Sequence, residues 1–224
     1  MMLQRKKNKI IFYFFLLFLV SSINNFHLNS LNLEKIKNIN ISGLEYKDKQ
    51  IILNEINKLY LENIFSLNEN ELKNIFNSNT IIEKYKIFKI YPSTLSINIK
   101  KTDFLAKIKK NEKIFLIGSN GKLSNLNLSN IKLPYIFGKP DIKEFLNFKK
   151  IIDDSKISYH QIENIYYFQS GRWDLEFENN ILLKLPKKNI KTSLNNFFEF
   201  INYNNFLDNK IIDMRIENQI IAND

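Results

Sequence analysis

The sequence predicts an α+β protein with an N-terminal transmembrane helix, a small strand–helix–helix–strand–strand domain and a mostly antiparallel β domain with interposed helices. Three observations predict this class. A basic tail at residues 1–9 precedes an apolar run that starts at residue 10. Residues 36–101 show strand and helix periodicities in turn, and residues 104–224 carry mostly short strand-type runs between turn signals. The 224 residues are enough to form these two compact units.

Composition excludes several kinds of chemistry. The chain has no cysteine, which removes thiol catalysis, disulfides and thiolate metal sites. A net charge of +10 is typical of nucleic-acid-binding proteins, but 30 of the 33 cations are Lys and only 3 are Arg. Together with 36 Ile against 1 Val, this bias indicates an AT-rich genome. We therefore expect no nucleic-acid partner, because Arg is the residue best suited to bind phosphates.

The N-terminus has the charge pattern of a membrane-inserted segment. Its cations are Arg5, Lys6, Lys7 and Lys9, and the apolar run contains Ile10, Phe12, Phe14, Phe15, Leu16, Leu17, Phe18, Leu19 and Val20. Cations on one side only predict a cytoplasmic tail, with the bulk of the chain outside the cytoplasm. A cleaved signal peptide and an uncleaved anchor at 10–28 both fit this pattern. The short run favours the signal peptide, whereas the missing small-x-small cleavage motif favours the anchor, which we prefer.

Residues 36–101 predict the first compact unit. The predicted elements are a strand at 36–42, helices at 48–60 and from residue 68 onward, a strand at 81–91 and an alternating strand at 95–100. The second helix has clear start signals, because Asn68 can cap it and Glu71 completes a capping box. Leu67 and Leu72 flank the cap as a hydrophobic staple. This order of elements predicts a domain that folds independently.

Residues 104–224 predict a second domain, made mainly of short strands. The predicted strands are 104–108, 113–117, 162–169, 173–177, 181–185 and 211–222, an apolar stretch lies at 133–138, and the predicted helices are 141–153 and 190–201. Asn120 and Gly121 supply a hairpin turn. Trp173 lies in the middle of an alternating strand, which is typical of a core or interface residue.

The residue types in this chain do not combine into a catalytic or ligand-binding motif. The two imidazoles are His27, beside the apolar run, and His160, at the start of a predicted strand, and neither is paired with a nucleophile. Asp153 and Asp154 are adjacent, so they do not share one helix face as an acid–base pair. Five scattered glycines form no phosphate-binding loop. We expect no catalytic residue, metal, cofactor or small-molecule substrate.

The order of the elements and several short strings resemble one protein family. The strings are Ile39-Asn40-Ile41-Ser42-Gly43, Tyr91-Pro92-Ser93-Thr94-Leu95-Ser96-Ile97-Asn98-Ile99, Phe104-Leu105-Ala106, Leu133-Pro134-Tyr135-Ile136-Phe137-Gly138, Arg172-Trp173-Asp174-Leu175 and Ile212-Asp213-Met214-Arg215. In this order and spacing they resemble the bacterial cell-division FtsQ/DivIB family, from the basic tail to residue 222. The chain departs from the family pattern at Lys101, Phe104 and Ile108, where Glu, Pro and Trp are usual.

The resemblance implies that residues 36–101 are a POTRA domain and that residues 104–224 are the C-terminal β domain of the family. It implies a non-enzymatic, single-pass inner-membrane scaffold at the division septum, with its bulk in the periplasm. Such a scaffold recruits the coiled-coil proteins FtsB and FtsL and helps to control septal peptidoglycan synthesis. The family binds FtsB by strand addition along a segment that corresponds here to Arg215, Ile216, Glu217, Asn218, Gln219, Ile220 and Ile221.

Arg215 is one of only three arginines in a chain that otherwise uses Lys. A guanidinium retained against that bias predicts a carboxylate or backbone-carbonyl partner. That group belongs either to a binding protein or to the same domain, and the sequence leaves both open. In an extended segment, Ile216 and Ile220 would lie on one face of the strand because their spacing is a multiple of two.

Two other classes of function remain open at this point. One is an anchored envelope protein or enzyme that acts on the cell wall, which would require coupled carboxylates or a serine–histidine pair in a cleft. The other is a POTRA-bearing secretion or assembly component, which the helices predicted after residue 101 disfavour.

Overall fold

The computed structural model describes residues 2–22, 34–126, 132–203, 211–216 and 219–223. The helices are α1 (Met2–Ser22), α2 (Tyr46–Asn57), α3 (Glu69–Ser78), α4 (Ile142–Asp153) and α5 (Ile190–Tyr203). The strands are β1 (Asn38–Ser42), β2 (Ile82–Ile90), β3 (Thr94–Lys101), β4 (Phe104–Lys110), β5 (Lys113–Gly118), β6 (Leu123–Ser124), β7 (Tyr135–Phe137), β8 (Ile162–Tyr167), β9 (Trp173–Phe177), β10 (Leu182–Lys184), β11 (Ile211–Asp213) and β12 (Ile221–Asn223). The strands in these residues form two sheets, so the predicted α+β class is confirmed.

Helix α1 contains both the basic tail and the apolar run. Its side chains from Ile10 to Val20 are exposed around the whole circumference of the helix. Within the residues that the structure describes, no helix combines the length and the apolar character needed to cross a membrane. Residues 23–28 of the anchor predicted at 10–28 lie outside the described residues.

The first sheet has the strand order β1-β3-β2, with α2 and α3 packed against it. Strand β1 runs parallel to β3, and β2 runs antiparallel to it. The buried core consists of Ile41, Ile52, Ile56, Leu72, Phe76, Ile81, Ile82, Leu95, Ile97 and Ile99. The predicted Asn68 cap of α3 is confirmed, because its side chain accepts a hydrogen bond from the Asn70 N–H at 3.1 Å. The Glu71 carboxylate accepts from the Asn68 side-chain amide at 3.3 Å instead of forming the predicted capping box. Helix α2 ends three residues before the predicted position, because the Lys58 and Leu59 N–H groups bond to carbonyls only three residues back.

Gly43 ends β1 in the string that resembles the family. Its φ is +88°, and a Cβ atom built on it would lie 1.8 Å from the Ile99 carbonyl oxygen in β3. Only glycine allows both this backbone conformation and this close approach of two strands. A side chain at residue 43 would therefore prevent the close approach of β1 and β3, the first and last strands of the domain.

The second sheet has the strand order β12-β11-β10-β9-β8-β7-β4-β5-β6. It is mixed, because β4–β7, β7–β8 and β10–β11 are parallel pairs and the other neighbours are antiparallel. The parallel pairs β7–β8 and β10–β11 arise because α4 and α5 connect their strands as crossovers. The sequence predicted both helices but not that each returns the chain in the same direction.

The core of the second domain forms where α4 and α5 cover the sheet. Trp173 is 5% exposed and stacks on Phe148 of α4, with ring centroids 4.5 Å apart. Phe177 of β9 stacks on Phe197 of α5 at 5.2 Å. Of the two roles predicted for Trp173, core or interface residue, the structure shows the core, with Trp173 at the start of β9 rather than in the middle of the strand. Helix α4 begins with a capping box formed by Asp141 and Glu144.

The two domains meet where the β5–β6 turn contacts the connection between α3 and β2. The Asn120 side-chain amide donates hydrogen bonds to the carbonyls of Thr80 and Ile82, each at 3.0 Å. The Lys122 ammonium donates to two backbone carbonyls near the end of α3, at 2.6 and 2.9 Å. Burial in this contact lowers the pKa of Lys122. The predicted turn at Asn120 and Gly121 therefore also joins the domains.

Candidate partner-binding edge

Strand β12 lies at one end of the second sheet. It pairs antiparallel with β11, so that Ile221 lies opposite Asp213 and Asn223 lies opposite Ile211. In the strand order of the described residues, no strand follows β12 on its outer side. The side chain of Ile221 is exposed. Such an edge presents backbone N–H and C=O groups to which an extended segment of another protein can add as a further strand.

The chain forms a hairpin between residues 211 and 223, so the prediction of one strand over 211–222 is wrong. Strand β11 ends at Asp213, and in the connection the Gln219 N–H donates a hydrogen bond to the Ile216 carbonyl at 3.2 Å. The turn interrupts the extended backbone that would have kept Ile216 and Ile220 on one face. Both isoleucines are nevertheless exposed, at 55% and 38%.

The residues predicted to bind a partner are divided between the edge strand and its connection. Ile221 lies in β12, and Arg215, Ile216, Gln219 and Ile220 lie before it. The remaining two, Glu217 and Asn218, lie outside the described residues. The segment therefore offers one described residue for strand pairing and four for contacts beside the edge.

Arg215 has its partner inside the domain. Its guanidinium donates hydrogen bonds to both oxygens of Asp213, with the Nε atom 2.9 Å from each. The Arg215 N–H also donates to the Asp213 side chain at 3.0 Å. These bonds hold the pKa of Asp213 below its usual range. Of the two alternatives that the sequence left open, the structure shows the ion pair within the domain, which also folds the chain at the end of β11.

Three charged residues lie side by side on the neighbouring strands β9, β10 and β11, next to this hairpin. Lys184 of β10 lies opposite Asp174 of β9 and opposite Asp213 of β11 in the strand registers. Asp174 is buried, accepts hydrogen bonds from Arg172 at 3.2 and 3.3 Å, and accepts another from the Leu185 N–H. Burial raises the pKa of Asp174, and the Arg172 guanidinium opposes that shift. The structure thus brings together two strings that resemble the family, each with an acid and an arginine two residues apart.

A groove of about 710 Å³ lies between α5 and the connection before β12. Its apolar lining includes Phe200 and Met214, together with the predicted residues Ile216 and Ile220. Cationic side chains line it as well, namely Lys187, Lys188 and Arg215, and Glu199 is its acidic member. Uncharged polar side chains complete the lining, namely Asn189, Thr192, Ser193, Asn196 and Gln219. Apolar side chains together with an excess of cations suit a partner segment that carries apolar and acidic side chains.

Sequence reasoning missed the part of this surface that precedes the terminal hairpin. Lys187 and Lys188 follow β10, and Phe200 and Tyr203 lie on α5, so all four are distant in sequence from residues 215–221. Strand β10 is parallel to β11, and this brings the end of β10 and the start of α5 beside the hairpin. The one signal in the sequence is the pair of adjacent lysines after a strand, which is weak in a chain this rich in Lys.

Comparison with known proteins matches both domains. Residues 34–101 match the model of the POTRA domain, FtsQ-type, and residues 106–215 match the model of the C-terminal region of cell division protein FtsQ/DivIB. The chain is 25% identical over 191 residues to cell division protein FtsQ of Rickettsia bellii and 26% identical over 191 residues to that of Rickettsia prowazekii. Each alignment covers 83% of this chain and 70% of the relative.

Among solved structures, the major extracytoplasmic domain of the cell division protein DivIB from Geobacillus stearothermophilus is similar, with a TM-score of 0.31 and 12% identity, over 42% of this chain and 85% of that one. The two family models match neighbouring segments in the order that the sequence predicted. The chain belongs to the FtsQ/DivIB family of cell division proteins, with an FtsQ-type POTRA domain followed by the C-terminal domain of the family.

Proposed function

We propose that this protein is a membrane-anchored, non-enzymatic scaffold of the division machinery that captures FtsB-like and FtsL-like coiled-coil proteins at the edge strand β12. The observation that carries the proposal is the exposed terminal strand beside a groove lined by apolar, polar and cationic side chains in a member of the FtsQ/DivIB family. Through these partners the scaffold helps to control septal peptidoglycan synthesis. It acts by binding and carries out no chemical step of its own.

The N-terminal segment anchors the scaffold in the inner membrane, with residues 1–9 in the cytoplasm and both domains in the periplasm. Its support is the charge asymmetry of the sequence, with four cations before the apolar run and none between residues 10 and 34. The exposure of the run from Ile10 to Val20 is a second support, because apolar side chains around a whole helix require an apolar surrounding. The residues that would complete the span at 23–28 lie outside the described ones.

Partner capture combines backbone pairing at β12 with side-chain contacts in the groove. An added strand on the outer side of β12 would lie next to the groove lined by Ile216 and Ile220. Backbone pairing supplies affinity with little dependence on sequence, and the groove supplies selectivity through apolar and acidic side chains of the partner. Lys187 and Lys188 would favour an acidic partner segment, whereas Arg215 is paired with Asp213.

Proline substitution tests this proposal, because successive residues of a strand point their N–H groups to opposite sides. We expect one of Ile221→Pro and Ala222→Pro to remove an N–H that faces the partner, and the other to remove an N–H that faces β11. The outward-facing variant should remain folded and lose capture by about fivefold or more, since a lost backbone hydrogen bond costs ~1 kcal/mol or more.

Capture is measured by pull-down of the full chain in detergent with the outer segment of an FtsB-like protein, and folding by circular dichroism. Ile221→Ala and Ala222→Ser are the matched controls, because they change the same side chains and keep the N–H groups. Wild-type capture by both proline variants, each folded, would exclude strand addition at this edge.

A further inference from the structure

The segment that leads into the POTRA domain lies between two of its loops, the α2–α3 connection and the β2–β3 turn. Lys35 forms an antiparallel bridge with Asn63 in the connection between α2 and α3. The Ile36 N–H donates to the Glu62 carbonyl at 2.9 Å, and the Lys37 N–H donates to the Ser93 carbonyl in the β2–β3 turn at 2.9 Å. Residues 34–37 are therefore fixed to the end of the domain that carries both loops.

Four large exposed side chains, three aromatic and one aliphatic, lie in these loops or, for Ile90, at the adjoining end of β2. Tyr60 is 77% exposed, Phe65 61%, Tyr91 59% and Ile90 50%. The rings of Phe65 and Tyr91 contact each other, with centroids 4.9 Å apart, across the gap between the two loops. We call these four residues the aromatic rim. They surround the point at which the chain enters the domain, since the Lys35 ammonium lies 5.4 Å from the centre of the Tyr60 ring.

The rim is held outward by local structure. The Asn63 side chain accepts hydrogen bonds from the N–H groups of Phe65 and Ser66, both at 3.0 Å. Between these residues, Ile64 is fully buried and fixes the loop to the domain. An Asx turn with a buried residue beside it orients Phe65 away from the core. The exposure of the aromatic rings is thus built into the loop.

We propose that the aromatic rim lies in the interfacial layer of the lipid bilayer and sets the orientation of the POTRA domain on the membrane. The proposal rests on the membrane anchor of the proposed function. If the anchor ends near residue 28, the chain to Lys35 spans at most about 25 Å, so this end of the domain is the one tethered closest to the bilayer. Tyrosine rings are favoured at the membrane–water interface, where their apolar bodies and polar tips are both satisfied.

The charges beside the rim fit the same partner. Lys35 is exposed at the point of entry and Lys58 is exposed just before Tyr60, whereas the ammonium group of Lys37 is paired with the Glu34 carboxylate at 2.8 Å. Ammonium groups close to aromatic side chains at an interface are attracted to anionic headgroups. A bilayer that contains anionic lipid therefore satisfies the rings and the cations together.

Depth measurement by a spin label tests the proposal directly, because the chain has no cysteine of its own. Single cysteines are introduced by Phe65→Cys and Tyr91→Cys in the full chain, labelled, and reconstituted into vesicles of phosphatidylethanolamine and phosphatidylglycerol. Ile114→Cys is the matched control, because Ile114 is 58% exposed at the end of β5 beside the β4–β5 turn. Phe15→Cys reports on the anchor. Circular dichroism verifies that each variant is folded, and Tyr60→Cys replaces any rim variant that is not.

For each label we compare the frequency of collisions with oxygen with the frequency of collisions with a water-soluble nickel complex. We expect the ratio of the two at positions 65 and 91 to be severalfold higher than the ratio at position 114. A ratio equal to that at position 114, with the label at position 15 inside the bilayer, would overturn the proposal and leave the anchor intact. The rim would then be open to a protein partner. A label at position 15 that is accessible to the nickel complex would overturn the anchor and this inference with it.

Discussion

Gly138 and Arg215 are each constrained by one particular atom or group in the folded protein. Gly138 closes the Leu-Pro string at φ +101°, and a Cβ atom there would lie 2.3 Å from the Tyr167 carbonyl. The sequence shows that an apolar stretch ends at this glycine, but the group that excludes a side chain lies 29 residues away in β8. Arg215 is similar, because its rarity predicted a carboxylate or backbone-carbonyl partner and the structure identified the Asp213 carboxylate. The residue type thus indicates what kind of backbone constraint or binding partner to expect, and the fold determines which atom provides it.

The Asp213–Arg215 pair predicts a dependence of stability on acid. The Arg215 hydrogen bonds keep the pKa of Asp213 below its ordinary value of 3.8, so the folded protein holds that proton less tightly than the unfolded chain. The stability it contributes is present above 3.8 and is lost as the pH falls through the lowered value. We expect Asp213→Asn to lower the free energy of unfolding by ~0.5–1 kcal/mol at neutral pH, since solvent screens the half-exposed Arg215.

That difference should vanish in acid. Urea denaturation of the full chain in detergent at neutral pH and near the acid limit of folding measures it. Asp154→Asn, at an exposed helix end, is the control for removal of one negative charge. Equal destabilisation by Asp213→Asn at both pH values would show that the effect is not electrostatic.

Secondary-structure elements were predicted well where local signals decide them. The Asn68 cap, the turn at Asn120 and Gly121 and the order of elements in the first sheet all follow from short-range patterns. The terminal hairpin was missed because isoleucine recurs along the segment, at 211, 212, 216, 220 and 221, and this pattern does not reveal where the chain turns. The parallel pairing of β10 with β11 was missed because direction depends on how α5 packs, which periodicity does not encode.

The β5–β6 turn makes a contact whose strength can be measured. Asn120→Asp keeps the side-chain oxygen that accepts from the Lys122 N–H and removes the amide that donates to Thr80 and Ile82. Two carbonyls then lose their donor and face a negative charge. We expect the free energy of unfolding to fall by ~1–3 kcal/mol, with a melting temperature lower by several degrees in calorimetry of the full chain.

Asn125→Asp is the matched control for this change, because Asn125 is exposed just after β6 and takes the same added charge. A surface change of this kind should alter stability by less than ~0.5 kcal/mol. If both variants melt alike, the turn does not couple the domains.

At the scale of the whole molecule, three surfaces follow one another along the chain: the apolar run of α1, the aromatic rim and the edge strand β12. The sequence predicted the first, and the resemblance to the FtsQ/DivIB family indicated the segment that contains the third. The rim could not be predicted, because Tyr60, Phe65 and Tyr91 belong to two loops that approach each other only in the folded domain. The groove beside β12 arises in the same way, from pieces that the parallel crossover brings together.

The two domains should fold as separate units that stabilise each other. Their buried cores do not share a residue, but Phe104 of β4 packs against the core of the first domain. Residues 34–103 and 104–224, expressed apart, should each unfold cooperatively in urea, followed by circular dichroism. We expect residues 34–103 to unfold at a lower midpoint than in the full chain, because the fragment lacks Phe104 and the hydrogen bonds from Asn120 and Lys122. A longer fragment, residues 34–126, restores these contacts and should unfold at a higher midpoint than residues 34–103. If residues 34–103 unfold without cooperativity, the first domain depends on the second to fold.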